Sequence, residues 1–85
     1  MHRTYKRNIM KTSIKPGRYR HYKGHDYQVI GTARHSESEE ELVLYFPLYG
    51  DEAEREYWVR PLTMFKETVE VDGQHLPRFA LQQDD

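Results

Sequence analysis

The sequence predicts an all-β protein, a small SH3-like barrel of five to six short strands with one helical turn near residues 61–65. Short runs rich in aromatic and β-branched residues recur along the chain, and Gly, Pro and Asp separate them, which is typical of all-β domains. A helical turn followed by a last strand is also the order in which SH3-like barrels end. A small mixed sheet, with the N-terminal segment packed on it as a helix, is the main alternative.

The strands follow a strong break signal at Pro16-Gly17. Residue patterning predicts strands at 18–22, 27–35, 41–49, 57–60, 67–71 and 74–79. Gly31 lies inside the second strand and indicates a bulge or a close backbone approach. Pro61 suits the first position of the helical turn, and Asp72-Gly73 predicts a two-residue hairpin turn. The residues predicted to form the core are Val29, Ala33, Leu42, Leu44, Phe46, Val59, Leu62, Phe65, Val69 and Val71.

The chain length limits the protein to one folded domain, because 85 residues bury only a modest core. Residues 1–15 are predicted to be a basic appendage, either flexible or a short helix, with five Lys/Arg and no acid. Residues 16–80 form the predicted β domain, and residues 81–85 are predicted to be a frayed tail.

Charge is distributed unevenly along the chain. Residues 1–35 hold nine Lys/Arg and one acid, a net charge of +8, whereas residues 36–85 hold four Lys/Arg and thirteen acids, a net charge of −9. This asymmetry indicates either an anionic partner or charge complementarity inside the fold. Over residues 16–85 the net charge is −6, which disfavours non-specific nucleic-acid binding because such binding depends on phosphate neutralisation.

The absence of cysteine excludes disulfides, thiolate zinc sites and a thiol nucleophile. The five histidines do not follow a metal-ligand spacing on one predicted element, so we predict no metal site and no cofactor. No apolar run approaches the roughly 20 residues that span a bilayer, and the basic N-terminal segment lacks the apolar region typical of a signal peptide. The sequence therefore predicts a cytoplasmic protein without a membrane partner.

Three motifs resemble a known bacterial family. They are "RHYKG" at Arg20 to Gly24, "ARHSE" at Ala33 to Glu37, and "WVRP" at Trp58 to Pro61. Together with the surrounding residues from about Gly17 to Phe79, they resemble the family catalogued as domain of unknown function 1653. The resemblance implies a small stand-alone or appended domain, and it implies no activity that could be carried over to this chain.

The same motifs supply the candidate binding residues, because they combine guanidinium groups for an anion with rings for stacking. Neighbouring predicted strands carry these residues, which are Arg18, Arg20, Tyr22, Arg34, His35, Trp58 and Arg60. For Trp58 two placements stay open. It either points outward beside Arg60 as a recognition pair, or it is a core residue while Arg60 pairs with an acid from 51–56.

We therefore expect a non-catalytic binding module for an anionic, partly aromatic ligand, namely a nucleotide, a nucleic acid segment or an acidic peptide. One alternative is a small hydrolase or nucleotide-processing enzyme that uses His35 or His21 as a base with Glu37 or Asp26. Another is a protein-interaction domain that uses an exposed edge near Pro47 or Pro77.

Overall fold

The computed structural model describes residues 14–82, and nearly all of their regular structure is β. In chain order the elements are β1 (Gly17–His21), β2 (Asp26–Arg34), β3 (Glu41–Pro47), a 3₁₀ turn (Glu52–Glu54), β4 (Trp58–Pro61), α1 (Leu62–Phe65), β5 (Thr68–Val71), β6 (Gln74–Pro77) and β7 (Phe79–Leu81). The predicted all-β class is confirmed, and so is the helical turn after Pro61.

The strands form two antiparallel sheets. One has five strands in the order β4-β3-β2-β1-β7, and the other is the β5–β6 hairpin. Within residues 14–82 these sheets do not join into a closed barrel, so the SH3-like closure predicted from the sequence is not seen. The predicted strand at 74–79 is divided in two. Pro77 ends β6 because proline has no N–H for the ladder, and Phe79 starts β7, which pairs with β1.

A β-bulge in β2 sets which residues face the core. The register of β2 against β3 shifts between Val29 and Gly31, so Ile30 is the extra residue. This confirms the bulge predicted from Gly31. Because side chains alternate with a period of two, the shift moves Ala33 to the face opposite the core, where it is exposed. The prediction that Ala33 is a core residue is therefore wrong.

The core lies on one face of the five-stranded sheet, and rings dominate it. Its buried members are Tyr19, Val29, Val43, Tyr45, Phe65 and Phe79. Phe65 of α1 stacks on Phe79 with ring centroids 4.1 Å apart, which fastens α1 to β7. The predictions for Val29 and Phe65 are confirmed.

The predicted core face of β3 and β4 is wrong. Val43, Tyr45 and Pro47 are the buried residues of β3, while Leu42, Leu44 and Phe46 lie on the opposite face and are half-buried. Val59 is on that same opposite face, because it pairs directly with Leu44. The run "ELVLYFP" is apolar on both faces, so alternation in the sequence could not identify the inner one. The remaining core predictions, Leu62, Val69 and Val71, are half-buried.

The two chain ends differ from the sequence prediction where they can be compared with it. Most of the predicted appendage at 1–15 lies outside the described residues, but Ile14 packs against the core and the Tyr19 hydroxyl donates a hydrogen bond to the Lys15 carbonyl at 2.7 Å. The predicted frayed tail does not hold for Leu81, which pairs with Tyr19. Residues 83–85 lie outside the described residues.

Among residues 14–82, no helix is long and apolar enough to cross a membrane.

Candidate functional site

Two of the predicted binding residues are committed to an internal ion pair on the face away from the core, which we call the outer face. Arg18 and Arg20 flank the buried Tyr19 and therefore point away from the core. Asp26 lies opposite Arg20, accepting from Arg18 Nη1 at 2.6 Å and from Arg20 Nε at 2.7 Å. Hydrogen bonds from Arg20 and then from Arg18 hold the pKa of Asp26 below its usual range. These guanidiniums are thus partly used by the fold itself.

The predicted residues Arg34 and His35 lie at the far end of β2, away from the other candidates. Arg34 Nη1 donates to the Glu39 carbonyl at 2.7 Å. His35 Nδ1 accepts from the backbone N–H groups of Glu37 and Ser38, at 3.1 and 3.3 Å. The backbone N–H of His35 also donates to the Glu40 backbone carbonyl, at 2.8 Å. The "RHSE" segment therefore forms a hydrogen-bonded turn between β2 and β3.

Trp58 and Arg60 lie on the core face of β4, at its rim. Trp58 pairs with Tyr45, and Arg60 pairs with Val43, so both point toward the core side. Trp58 remains 39% exposed because β4 is the edge strand of the sheet. Both sequence interpretations are thus partly right. Trp58 contacts core rings, yet it keeps a solvent-accessible face beside Arg60.

Tyr27 is the centre of the rings around Trp58, and the sequence interpretation missed it as a site residue. Its ring contacts those of Tyr45, Tyr49, Trp58 and Phe79, with centroids 5.6, 5.7, 6.1 and 5.7 Å away. Burial and the nearby Tyr49 hydroxyl, 3.5 Å from its own, raise the pKa of Tyr27. The Tyr27 hydroxyl therefore stays protonated and available for hydrogen bonding.

Arg60 is the cationic member of this group. Its Nε donates to the Tyr45 hydroxyl at 3.2 Å, and its guanidinium lies 5.5 Å from the Phe79 ring centre. Within residues 14–82, none of the ion pairs includes Arg60, so the predicted pairing with an acid from 51–56 is wrong. Within the acidic loop at 51–56, Glu52 instead pairs with Arg55, whose Nη1 lies 3.6 Å from a Glu52 carboxylate oxygen.

His21 adds a titratable group to these residues, because its ring and the Arg60 guanidinium both lie beside the Phe79 ring. Its ring lies 4.7 Å from Tyr22 and 4.9 Å from Phe79. Burial lowers the pKa of His21, and the positive charges of Arg78, Arg60, Lys23 and His25 lower it further. The surroundings of His21 are therefore electropositive.

Together these residues form one surface, which we call the aromatic site. Its members are His21, Tyr22, Tyr27, Tyr45, Tyr49, Trp58, Arg60 and Phe79. Shallow clefts flank it on both sides. One, of about 190 Å³, is lined by Tyr49, Trp58 and the loop after β3, and another, of about 260 Å³, is lined by His21, Tyr22 and residues of β6. Of the seven predicted residues, Trp58 and Arg60 belong to this surface, and Tyr22 joins it through its contact with the His21 ring. Arg20 lines the second cleft beside Tyr22, whereas Arg18, Arg34 and His35 do not belong to the site.

Sequence signals for the missed residues exist but are weak. Tyr27 and Tyr49 stand at the ends of predicted strands, and His21 alternates with the arginines of β1. Only the pairing of β1, β2 and β3 places them around one point. Among the described residues, no group of three His, Cys, Asp or Glu side chains is arranged to hold a metal ion.

The fold has a counterpart among known families. Residues 17–81 match the model of a family described as protein of unknown function (DUF1653). The chain belongs to this family. The DUF1653 resemblance predicted from the sequence is thus confirmed. A crystal structure of a DUF1653 protein from Bordetella bronchiseptica is similar, with 36% sequence identity and a TM-score of 0.71, covering 86% of this chain and 96% of that chain. No curated protein matches the chain.

Proposed function

We propose that this DUF1653 protein is a non-catalytic binding module whose aromatic site takes a small ligand with an anionic group and a planar ring. A mononucleotide, the end of a nucleic acid segment or an acidic peptide with an aromatic residue has this chemistry. The proposal keeps Tyr22, Trp58 and Arg60 from the sequence prediction. It replaces the arginines of β1 and the "RHSE" turn with His21, Tyr27 and Tyr49.

The observation that carries the proposal is the state of Arg60. Its side chain is half-buried among rings, and no carboxylate pairs with it within residues 14–82. A partly desolvated guanidinium gains most from an anion, because charge-assisted hydrogen bonds to carboxylate or phosphate are stronger than neutral ones. With Nε bonded to Tyr45, the two terminal nitrogens of Arg60 are the donors that a ligand would meet.

The rings beside Arg60 support a planar component in the ligand. Trp58 and Tyr49 are 39% and 41% exposed, while both contact the half-buried Tyr27 ring. Rings that are fixed by packing lose little conformational entropy when a ligand stacks on them. Stacking on such rings is worth about 1–3 kcal/mol per base in single-strand binders.

The local charge supports a short ligand over a long polyanion. The cleft next to Trp58 is also lined by Asp51, Glu54 and Glu56, whose carboxylates repel an extended phosphate backbone. A ligand with a single anionic group presents less charge to these acids than an extended phosphate backbone does. A mononucleotide is therefore the first ligand to test.

The hydrolase alternative gains no support from this arrangement. Asp26 is paired with two arginines on the outer face, whereas His21 lies on the core face. His35 Nδ1 is occupied by two backbone donors, and its neighbour Glu37 is exposed.

A relation to SH3-like barrels is part of our proposal, supported by the order of α1 and the strands that follow it.

Binding of nucleoside monophosphates, a short single-stranded oligonucleotide and an acidic peptide should be measured on the full chain by NMR shift mapping. We expect shifts that cluster on His21, Tyr49, Trp58 and Arg60. Arg60→Gln should weaken binding about 10- to 100-fold, because it removes a charge-assisted hydrogen-bonding group. Arg60→Lys keeps the charge but loses the planar fork, so it should bind with intermediate affinity.

Arg34→Gln is the matched control, since Arg34 lies at the far end of β2 and should not alter affinity. An equal loss of affinity in Arg34→Gln and Arg60→Gln would overturn the proposed site. Absence of shifts at the aromatic site with all three ligand classes would overturn the proposed function.

A further inference from the structure

The outer face of β2, β3 and β4 is apolar, although it is the face away from the core. Val59 is 57% exposed, and Ile30, the extra residue of the bulge, is 45% exposed. Leu42, Leu44 and Phe46 lie on the same face of β3 and are half-buried. We call these five residues the apolar strip. Tyr57 and the Arg55 guanidinium, 5.6 Å from the Phe46 ring centre, partly cover the Phe46 end of the strip. Ile30 and Val59 stay exposed, so no element in the described part of the chain covers the strip at these two residues.

This composition is unusual for an open antiparallel sheet, whose solvent face normally carries polar residues. The sequence of β3 is apolar at consecutive positions, which is typical of a strand that is buried on both faces. A contiguous exposed apolar surface on a soluble domain commonly marks an interaction site. We therefore expect another protein surface to cover the apolar strip.

The charges beside the strip indicate what kind of surface fits. On one side, the outer face of β1 carries two arginines beside one aspartate, because Arg18 and Arg20 share Asp26. On the other side, the loop at 51–56 carries four acids and one arginine, a net charge of −3.

The basic corner and the acidic loop lie at the same end of the sheet. Arg18 pairs with Gln28, and Gln28 pairs with Phe46 of the strip. The Phe46 ring in turn contacts that of Tyr57, directly after the acidic loop, with centroids 5.8 Å apart. A basic and an acidic edge thus face each other across the apolar strip, at one level along the strands.

We propose that a second copy of this chain covers the strip in a two-fold symmetric dimer, with the axis parallel to β2 and β3. That symmetry lays strip on strip. The rotation also reverses the order of the strands across the interface but preserves each residue's position along the strand direction. The basic corner of each copy therefore meets the acidic loop of the other. The surface is therefore self-complementary in both apolar contact and charge, as a two-fold interface requires.

The size of the strip limits the strength of this dimer. Three strands span roughly 14 Å across and about 20 Å along their length, from ordinary strand spacings. The patch is smaller than the roughly 800 Å² per partner of a standard interface. The dimer is therefore weak, with dissociation in the micromolar range or above. It uses the face opposite the aromatic site and leaves that site open.

Sedimentation equilibrium of the full chain, from micromolar to millimolar concentration, tests the proposal. We expect a reversible monomer–dimer equilibrium. Val59→Glu places an unpaired charge in the strip and should weaken association at least about tenfold. Glu56→Lys should weaken it as well, and added salt should weaken the unmodified dimer, because both reduce the attraction between the edges.

Met64→Glu is the matched control. Met64 is an exposed apolar residue like Val59, but it lies on α1, which packs on the core side, and it should leave association unchanged. A monomer at millimolar concentration would overturn the proposal, including the case in which residues 1–13 of the same chain cover the strip. A dimer that resists Val59→Glu, or that Met64→Glu disrupts, would place the interface elsewhere and overturn it too.

Discussion

Glu39 occupies a backbone conformation that ordinary residues avoid. Its φ is 64°, in the left-handed region, and it is one of two non-glycine residues with positive φ among those described. The turn around it imposes this angle, since the Glu39 N–H donates to the His35 carbonyl and its own carbonyl accepts from Arg34. The "RHSE" segment therefore has a structural role in this turn, because His35 Nδ1 accepts hydrogen bonds from two of its backbone N–H groups.

Replacing Glu39 by glycine should stabilise the protein. Glycine adopts the left-handed region without the penalty of about 1 kcal/mol that a side chain carries there, and this gain exceeds the extra entropy that glycine adds to the unfolded chain. We expect the free energy of unfolding in urea to rise by about 0.5 kcal/mol. Glu40→Gly, at a neighbouring position without positive φ, should lower it; an equal effect of both would reject backbone strain as the cause.

The β5–β6 hairpin is the element most dependent on its own turn. It forms a separate two-stranded sheet, so within the described residues its ladder gains no support from a third strand. Asp72 and Gly73 both have positive φ, 52° and 81°, as the mirror-image hairpin turn requires. The sequence pair Asp-Gly predicted this turn for the same physical reason.

Gly73→Ala should destabilise the protein by about 1 kcal/mol, through backbone strain alone. A Cβ built at Gly73 meets no atom within 4 Å, so a steric clash does not contribute. Gly73→Asn should cost less, because asparagine tolerates this region better than alanine does. Urea unfolding of the three proteins measures the order, and asparagine as destabilising as alanine would contradict this explanation.

The whole molecule places its positive charges on both faces of the five-stranded sheet, and the two sets behave differently. On the outer face Arg18 and Arg20 both pair with Asp26. On the core face His21 is half-buried near the positive charges of Arg78, Arg60 and Lys23, without a carboxylate among the groups that shift its pKa. The core face therefore resists further positive charge, and this makes the stability of the fold depend on pH.

Stability should fall as the pH drops below about 6.5, the ordinary pKa of histidine. The pKa of His21 is lowered in the folded state, so between its folded and ordinary pKa the unfolded chain binds a proton that the folded chain does not. Above that window His21 is neutral in both states and contributes no pH dependence. His21→Gln should remove this part of the decline in urea unfolding measured from about pH 7.5 to about pH 5.5.

A slope unchanged by His21→Gln would contradict the role assigned to His21. A bound anion at Arg60 should also reduce the slope, which links this measurement to the proposed ligand.

The sequence by itself determined the all-β class, the bulge at Gly31, the Asp72-Gly73 turn, the helical turn after Pro61 and membership of the DUF1653 family. Each depends on local backbone chemistry or on residue patterns that are read directly from the chain. Tertiary structure alone decided which face of β3 is buried and which arginines share a site. Those outcomes depend on strand register: β3 is apolar on both faces, a one-residue bulge reverses alternation, and each arginine's partner comes from another part of the chain.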